Sequence, residues 1–116
     1  MGGVSMLEIS VQQLDEFLKN DQKIVLLDVR QEWEHQLTHL SNSILISLGE
    51  LGSRVDEVIE ISQATAAELI VVYCHHGVRS LRGAAILQKS GLRNVVSLAG
   101  GIDAWSREID PQIPIY

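Results

Sequence analysis

The chain has 116 residues, 46% of them hydrophobic and 21% charged, with 15 acidic side chains against 9 basic ones and a formal net charge of −6. This length and balance suit one globular domain, read here as residues 1–116, with enough apolar material for a core. The acidic surplus argues against nucleic acid or an anionic membrane as the main partner, and no apolar run approaches the ~20 residues of a bilayer span.

Met1 to Met6 lacks the basic residues and long apolar stretch of a secretory signal, and no structure is assigned to it. Ser10 can cap a first helix that carries Val11, Leu14, Phe17 and Leu18 on one stripe. Ile24 to Val29 is a continuous apolar run broken only by Asp28, the pattern of a strand buried on both faces. Gln31 to Leu37 reads as a short polar helix. Ser43 to Ile46 is a weaker strand, reached through a turn at Ser41-Asn42. Glu50 to Ile61 places Leu51, Val55, Val58 and Ile59 on one helical face. Leu69 to Tyr73 is the strongest strand. Ser80 to Ser90 is a helix that stops at Gly91. Asn94 to Leu98 is a further strand, Gly100-Gly101 a tight turn, and Ile102 to Glu108 a last helix. Pro111 and Pro114 are expected to keep the tail extended. Strands alternating with helices predict an α/β fold, a mainly parallel sheet with helices on both faces.

The chemistry concentrates in Cys74-His75-His76-Gly77-Val78-Arg79-Ser80, directly after the strongest strand. Ligands of open α/β sheets bind beyond the carboxyl ends of strands. A short loop there can turn successive N–H groups inward as an anion nest, and Gly77 gives it the backbone freedom to do so. The following helix adds its positive end, and Arg79 with His75 and His76 adds cationic or polar character. Cys74 to Arg82 holds no acidic residue although the chain is acidic overall. Such surroundings favour the reactive thiolate over the thiol. An isolated cysteine at a strand end is commonly an inert core residue, but the polar loop after it weighs against that reading. As the one cysteine of the chain it excludes an internal disulfide, and a reducing, cytoplasmic compartment suits it.

These residues resemble the active-site loop of rhodanese-homology domains, with Cys, Gly, Arg and Ser in the family's places. Leu27-Asp28-Val29-Arg30, followed by Glu32 and Glu34, resembles the amino-terminal signature of that family. Leu98-Ala99-Gly100-Gly101-Ile102 with Trp105 resembles its carboxyl-terminal one. Between them Thr38-His39-Leu40-Ser41-Asn42-Ser43 departs from the family pattern, keeping the His but not the glycines and proline. The resemblance implies a five-stranded, mainly parallel sheet and a persulfide on Cys74. It also implies a sulfurtransferase fed by thiosulfate or another persulfide. An external acceptor then follows from the lone cysteine: cyanide, a small thiol or a sulfur-relay partner protein. In this reading Arg79 and the histidines hold the oxyanion part of the donor, and no cofactor is needed.

Two other classes stay open. Cysteine phosphatases and arsenate reductases place five residues between their cysteine and arginine, whereas four separate Cys74 from Arg79, a tight loop for a phosphoryl group. A non-turnover sulfur carrier or regulatory module would keep the same residues. Metal ligation is the weaker reading of His35, His39, His75 and His76, and no metal site is expected. Asp28 and Arg30 lie near the expected site but read more readily as scaffold: Asp28 bonded to the N–H groups of the next turn, Arg30 paired with Glu32, Glu34 or another acid. Trp33 and Trp105 read as packing residues, Trp33 near the pocket mouth.

Overall fold

A computed structural model describes residues 7–116, so the reading of residues 1–6 lies outside it. Five strands form one parallel sheet in the order β1-β5-β4-β2-β3: β1 Glu8–Ile9, β2 Ile24–Asp28, β3 Ile44–Leu45, β4 Leu69–Tyr73 and β5 Val95–Leu98. Every pairing is parallel, and the central pair runs in register from Ile24 opposite Leu69 to Asp28 opposite Tyr73.

Side chains on a strand alternate between faces, so a continuous apolar run must feed two cores. On one face Val25, Leu27, Ile70 and Val72 pack with Leu51, Val58, Ala84 and Leu87. These last four belong to α3 (Leu48–Leu51), α4 (Val55–Ala64) and α5 (Val78–Lys89). On the other face Leu26, Val71, Tyr73 and Val96 pack with Val11, Leu14 and Ile102. Those three come from α1 (Val11–Lys19) and α6 (Gly101–Glu108). The sixth helix, α2 (Glu32–Leu37), follows β2. The two-sided α/β architecture expected from the sequence is the one observed.

Boundaries differ in four places, each for a local reason. The stretch from Glu50 to Ile61 is two helices, because the chain turns at residues 52–54: the Ser53 hydroxyl donates to the Glu50 carbonyl and Arg54 N–H to that of Leu51. Helix α5 starts at Val78 rather than Ser80, with Gly77 at φ +107° as its cap, a conformation favouring glycine. Strand β1 is only two residues long, too short to leave a periodic signal, and it pairs at the sheet edge with Ser97 and Leu98. The tail is not extended. Asp110 accepts the N–H of Gln112 on its side chain and that of Ile113 on its carbonyl, so Pro111 sits in a turn. The turn sends the chain back to Tyr116, whose hydroxyl reaches Arg30 and Glu34.

Candidate active site

Strand β4 ends at Tyr73 and delivers Cys74 to the carboxyl edge of the sheet, where the chain curls before entering α5. Cys74 is 1% exposed. Gly77 N–H points at it from 3.1 Å and Ser80 N–H from 3.4 Å, while the thiol faces the Ser80 hydroxyl at 3.4 Å. Ser80 is itself fixed by the Ser97 hydroxyl of β5, 2.7 Å away. Two amide dipoles and a hydroxyl therefore converge on one sulfur atom. N–H groups directed at sulfur stabilise negative charge on it.

The loop takes this shape because its outward groups are occupied. The carbonyls of Cys74 and His75 accept the N–H groups of Ile102 and Asp103, the first turn of α6, at 2.9 and 3.1 Å. Gly101 lies against these carbonyls so closely that a Cβ there would collide with both. Gly77 lies near the Gly100 backbone less tightly, where a Cβ would come to 3.2 Å from Gly100 N. The Gly100-Gly101 turn thus does more than reverse the chain: it lets α6 hold the loop's carbonyls outward while its amides face the sulfur.

Asp28 and Arg30 are not at an exposed rim; both are fully buried. The Asp28 carboxylate accepts the N–H and the guanidinium of Arg30, with Arg30 Nη2 also donating to the Thr38 carbonyl at 2.6 Å. Asp28 thus supplies the acid for Arg30, in place of Glu32 or Glu34. His35 Nδ1 and the Tyr73 hydroxyl add two further donors to the same carboxylate. These residues brace the strand ends beneath the loop.

The cationic surroundings expected from the loop sequence are offset by acids from elsewhere in the chain. Arg79 donates through both Nη atoms to Glu34 at 2.7 and 2.9 Å. Asp103 lies 4.0 Å from His76 and is bonded by Arg107 at 2.9 Å. Burial works to raise the Glu34 carboxyl, but hydrogen bonds from Arg79, Tyr116 and the Gln31 N–H outweigh it and hold it down at about 2. Burial and the neighbouring His76 push the His75 imidazole below its ordinary value, and its Nε2 is buried without a partner. Glu34, Asp103 and Tyr116 are the residues that the sequence reading left out of the site.

Tyr116 closes the arrangement. Its ring stacks on His75 at 3.9 Å with 7° between planes, and His76 covers the other side of His75 at 3.8 Å. Its hydroxyl accepts from Arg30 at 2.7 Å and donates to Glu34 at 2.6 Å. Trp33, 62% exposed rather than packed, meets the Tyr116 ring edge-on, whereas Trp105 joins the second core. Ligand atoms of His75, His76 and Asp103 fall within 4.8 Å of one another. The two imidazole rings are tilted by 33° to each other, and Asp103 is also bonded by Arg107. His35 and His39 stack at 4.0 Å with both Nδ1 atoms already donating, to Asp28 and to the His35 carbonyl.

Residues 10–108 match the family description of the rhodanese-like domain. The chain belongs to that family. Its fold neighbours include a rhodanese-related protein from Thermoplasma volcanium, 30% identical with a TM-score of 0.71, covering 95% of this chain and 99% of that one. The human single domain sulfurtransferase superposes with a TM-score of 0.74 at 22% identity, over 91% and 98% of the two chains, a likeness of fold. Among curated proteins this rhodanese-like domain is 32% identical to the adenylyltransferase and sulfurtransferase UBA4 of Candida albicans, over 93% of its own length and 25% of the relative's. It spans about a quarter of the first curated relatives it matches.

Proposed function

We propose that this rhodanese-like domain is a sulfurtransferase that carries sulfane sulfur as a persulfide on Cys74. The observation that carries the reading is the convergence of the Gly77 and Ser80 amides on one sulfur atom. A thiolate and a persulfide are both anions with their charge at this place, so one set of donors serves the resting and the loaded state. In the first half-reaction the thiolate attacks the outer sulfur of a donor of the thiosulfate or persulfide class, and the donor's remainder departs with the electron pair. In the second an external nucleophile takes that sulfur: cyanide, a thiol or a partner protein. The chain has no other cysteine to resolve the persulfide internally. A relay partner fits the relatives of this chain, which join a sulfurtransferase to an adenylyltransferase in one longer protein. A reducing, cytoplasmic setting suits a lone reactive thiol.

Arg79 argues against the phosphatase reading. An arginine that cradles a tetrahedral oxyanion must present its donors to the loop, and here each Nη atom gives a hydrogen bond to Glu34 instead. The test is steady-state kinetics with donor and acceptor varied together. Parallel double-reciprocal lines and complete loss of transfer in Cys74→Ser are expected. Intersecting lines, or transfer retained by the serine variant, would refute the covalent route.

A further inference from the structure

We propose that His75, His76 and Asp103 form a binding site for a divalent transition-metal ion of the zinc class on the rim of the sulfur loop. The inference goes beyond sulfur transfer and does not depend on it. Ligand atoms of the three side chains lie within 4.8 Å of one another, with His76 Nε2 4.0 Å from Asp103 Oδ2. A zinc ion holds nitrogen and oxygen ligands at about 2.0–2.2 Å, which sets them about 3.4 Å apart in a tetrahedron. The remaining movement falls on His76, whose side chain is 62% exposed and can turn without disturbing the core. The main chain around the trio is already fixed. Asp103 N–H donates to the His75 carbonyl at 3.1 Å and Ile102 N–H to that of Cys74 at 2.9 Å. The first turn of α6 therefore holds Asp103 against the loop before any ion arrives, which lowers the ordering cost of binding.

A second observation points to the same place. His75 Nε2 is buried and has no hydrogen-bond partner. A buried polar atom left unpaired is costly, and an ion at its lone pair relieves that cost. The hydrogen bond from Arg107 does not compete with this role. It is made to Asp103 Oδ2 at 2.9 Å, which leaves Oδ1 for the ion, and carboxylates that ligate metals are held by such outer hydrogen bonds. Two imidazoles and one carboxylate suit zinc and its neighbours rather than magnesium or calcium, which take oxygen ligands. Three protein ligands leave a fourth position for water or an exogenous ligand. The sequence offered His35 and His39 as companions of the loop histidines, whereas the fold brings an acid of α6 to them instead.

Zinc ion alone is titrated by calorimetry into the full chain carrying Cys74→Ser, so that no thiolate can capture the metal. One ion per chain is expected, and excess magnesium is expected to leave the isotherm unchanged. His76→Ala and Asp103→Asn, each added to Cys74→Ser, should weaken binding at least about tenfold, a loss that removal even of an outer hydrogen-bond partner brings. His39→Ala should leave binding unchanged, because that ring stacks on His35 in the other histidine pair. With copper(II) as the probe, electron paramagnetic resonance should show coupling to two imidazole nitrogens, and to one after His76→Ala. His76 is exposed, so its variant keeps the fold, and it decides alone should Asp103→Asn fail to fold. Absence of zinc binding, binding that His76→Ala leaves intact, or binding that His39→Ala removes overturns the site.

Discussion

Glu34 gathers four donors from three residues: both Nη atoms of Arg79, the Tyr116 hydroxyl and the Gln31 N–H. It therefore joins α2, α5 and the tail through one carboxylate. Because its folded-state value, about 2, lies below the ordinary 4.5, its stabilisation is complete above that range and is lost as pH falls from 4.5 toward 2. Glu34→Gln is expected to cost about 2 kcal/mol at neutral pH. The same variant should flatten the loss of stability between pH 5 and 2, read from urea midpoints across that range. A variant whose acid slope matches the wild type would show that the carboxylate is not held in this way. At this scale the sequence was legible where partners are close along the chain. Asp28 and Arg30 are two residues apart, so an acid partner for Arg30 could be expected from the sequence, although Asp28 supplies it and not Glu32 or Glu34. Arg79 and Glu34 lie 45 residues apart, and Tyr116 and Glu34 82 apart, so no local window could show that the loop's cation is paired.

The unit that shapes the sulfur site is strand β4, its loop and α5, held from the side by the first turn of α6. The strand and the helix follow from apolar runs and periodicity. The docking of α6 does not, because it is made by backbone N–H groups and by two glycines without side chains. Gly100-Gly101 read as a turn, which it is, but close approach to another loop leaves no trace in residue type beyond glycine itself. Gly101→Ala combines φ +61° with a collision against the Cys74 and His75 carbonyls. It is expected to cost about 2–4 kcal/mol and to slow alkylation of Cys74 as the amides lose their aim. Gly91→Ala, at φ +100° with nothing within 4 Å, should cost about 1 kcal/mol and leave alkylation unchanged. Equal effects from the two would deny the α6 contact its role.

Across the whole molecule, a sheet buried on both sides fixes the strand ends, and the strand ends fix the site. The alternation of Val25, Leu27, Ile70 and Val72 to one core and Leu26, Val71 and Tyr73 to the other was legible as continuous apolar runs. The return of the tail across the site was not, because proline limits φ without saying where a chain goes next. A cavity of about 310 Å³ lies at the other end of the sheet, among Leu69, Asn94 and Val95 at the strand starts, away from the sulfur. The loop beyond the strands therefore remains the place where reactivity is tested. The decisive measurement is the intact mass of the protein before a sulfane donor, after it, and after a following thiol. The structure predicts a gain of about 32 Da that maps to Cys74 and disappears with the thiol, and no gain in Cys74→Ser. A wild-type protein whose mass is unchanged by both thiosulfate and an alkyl persulfide would contradict the account.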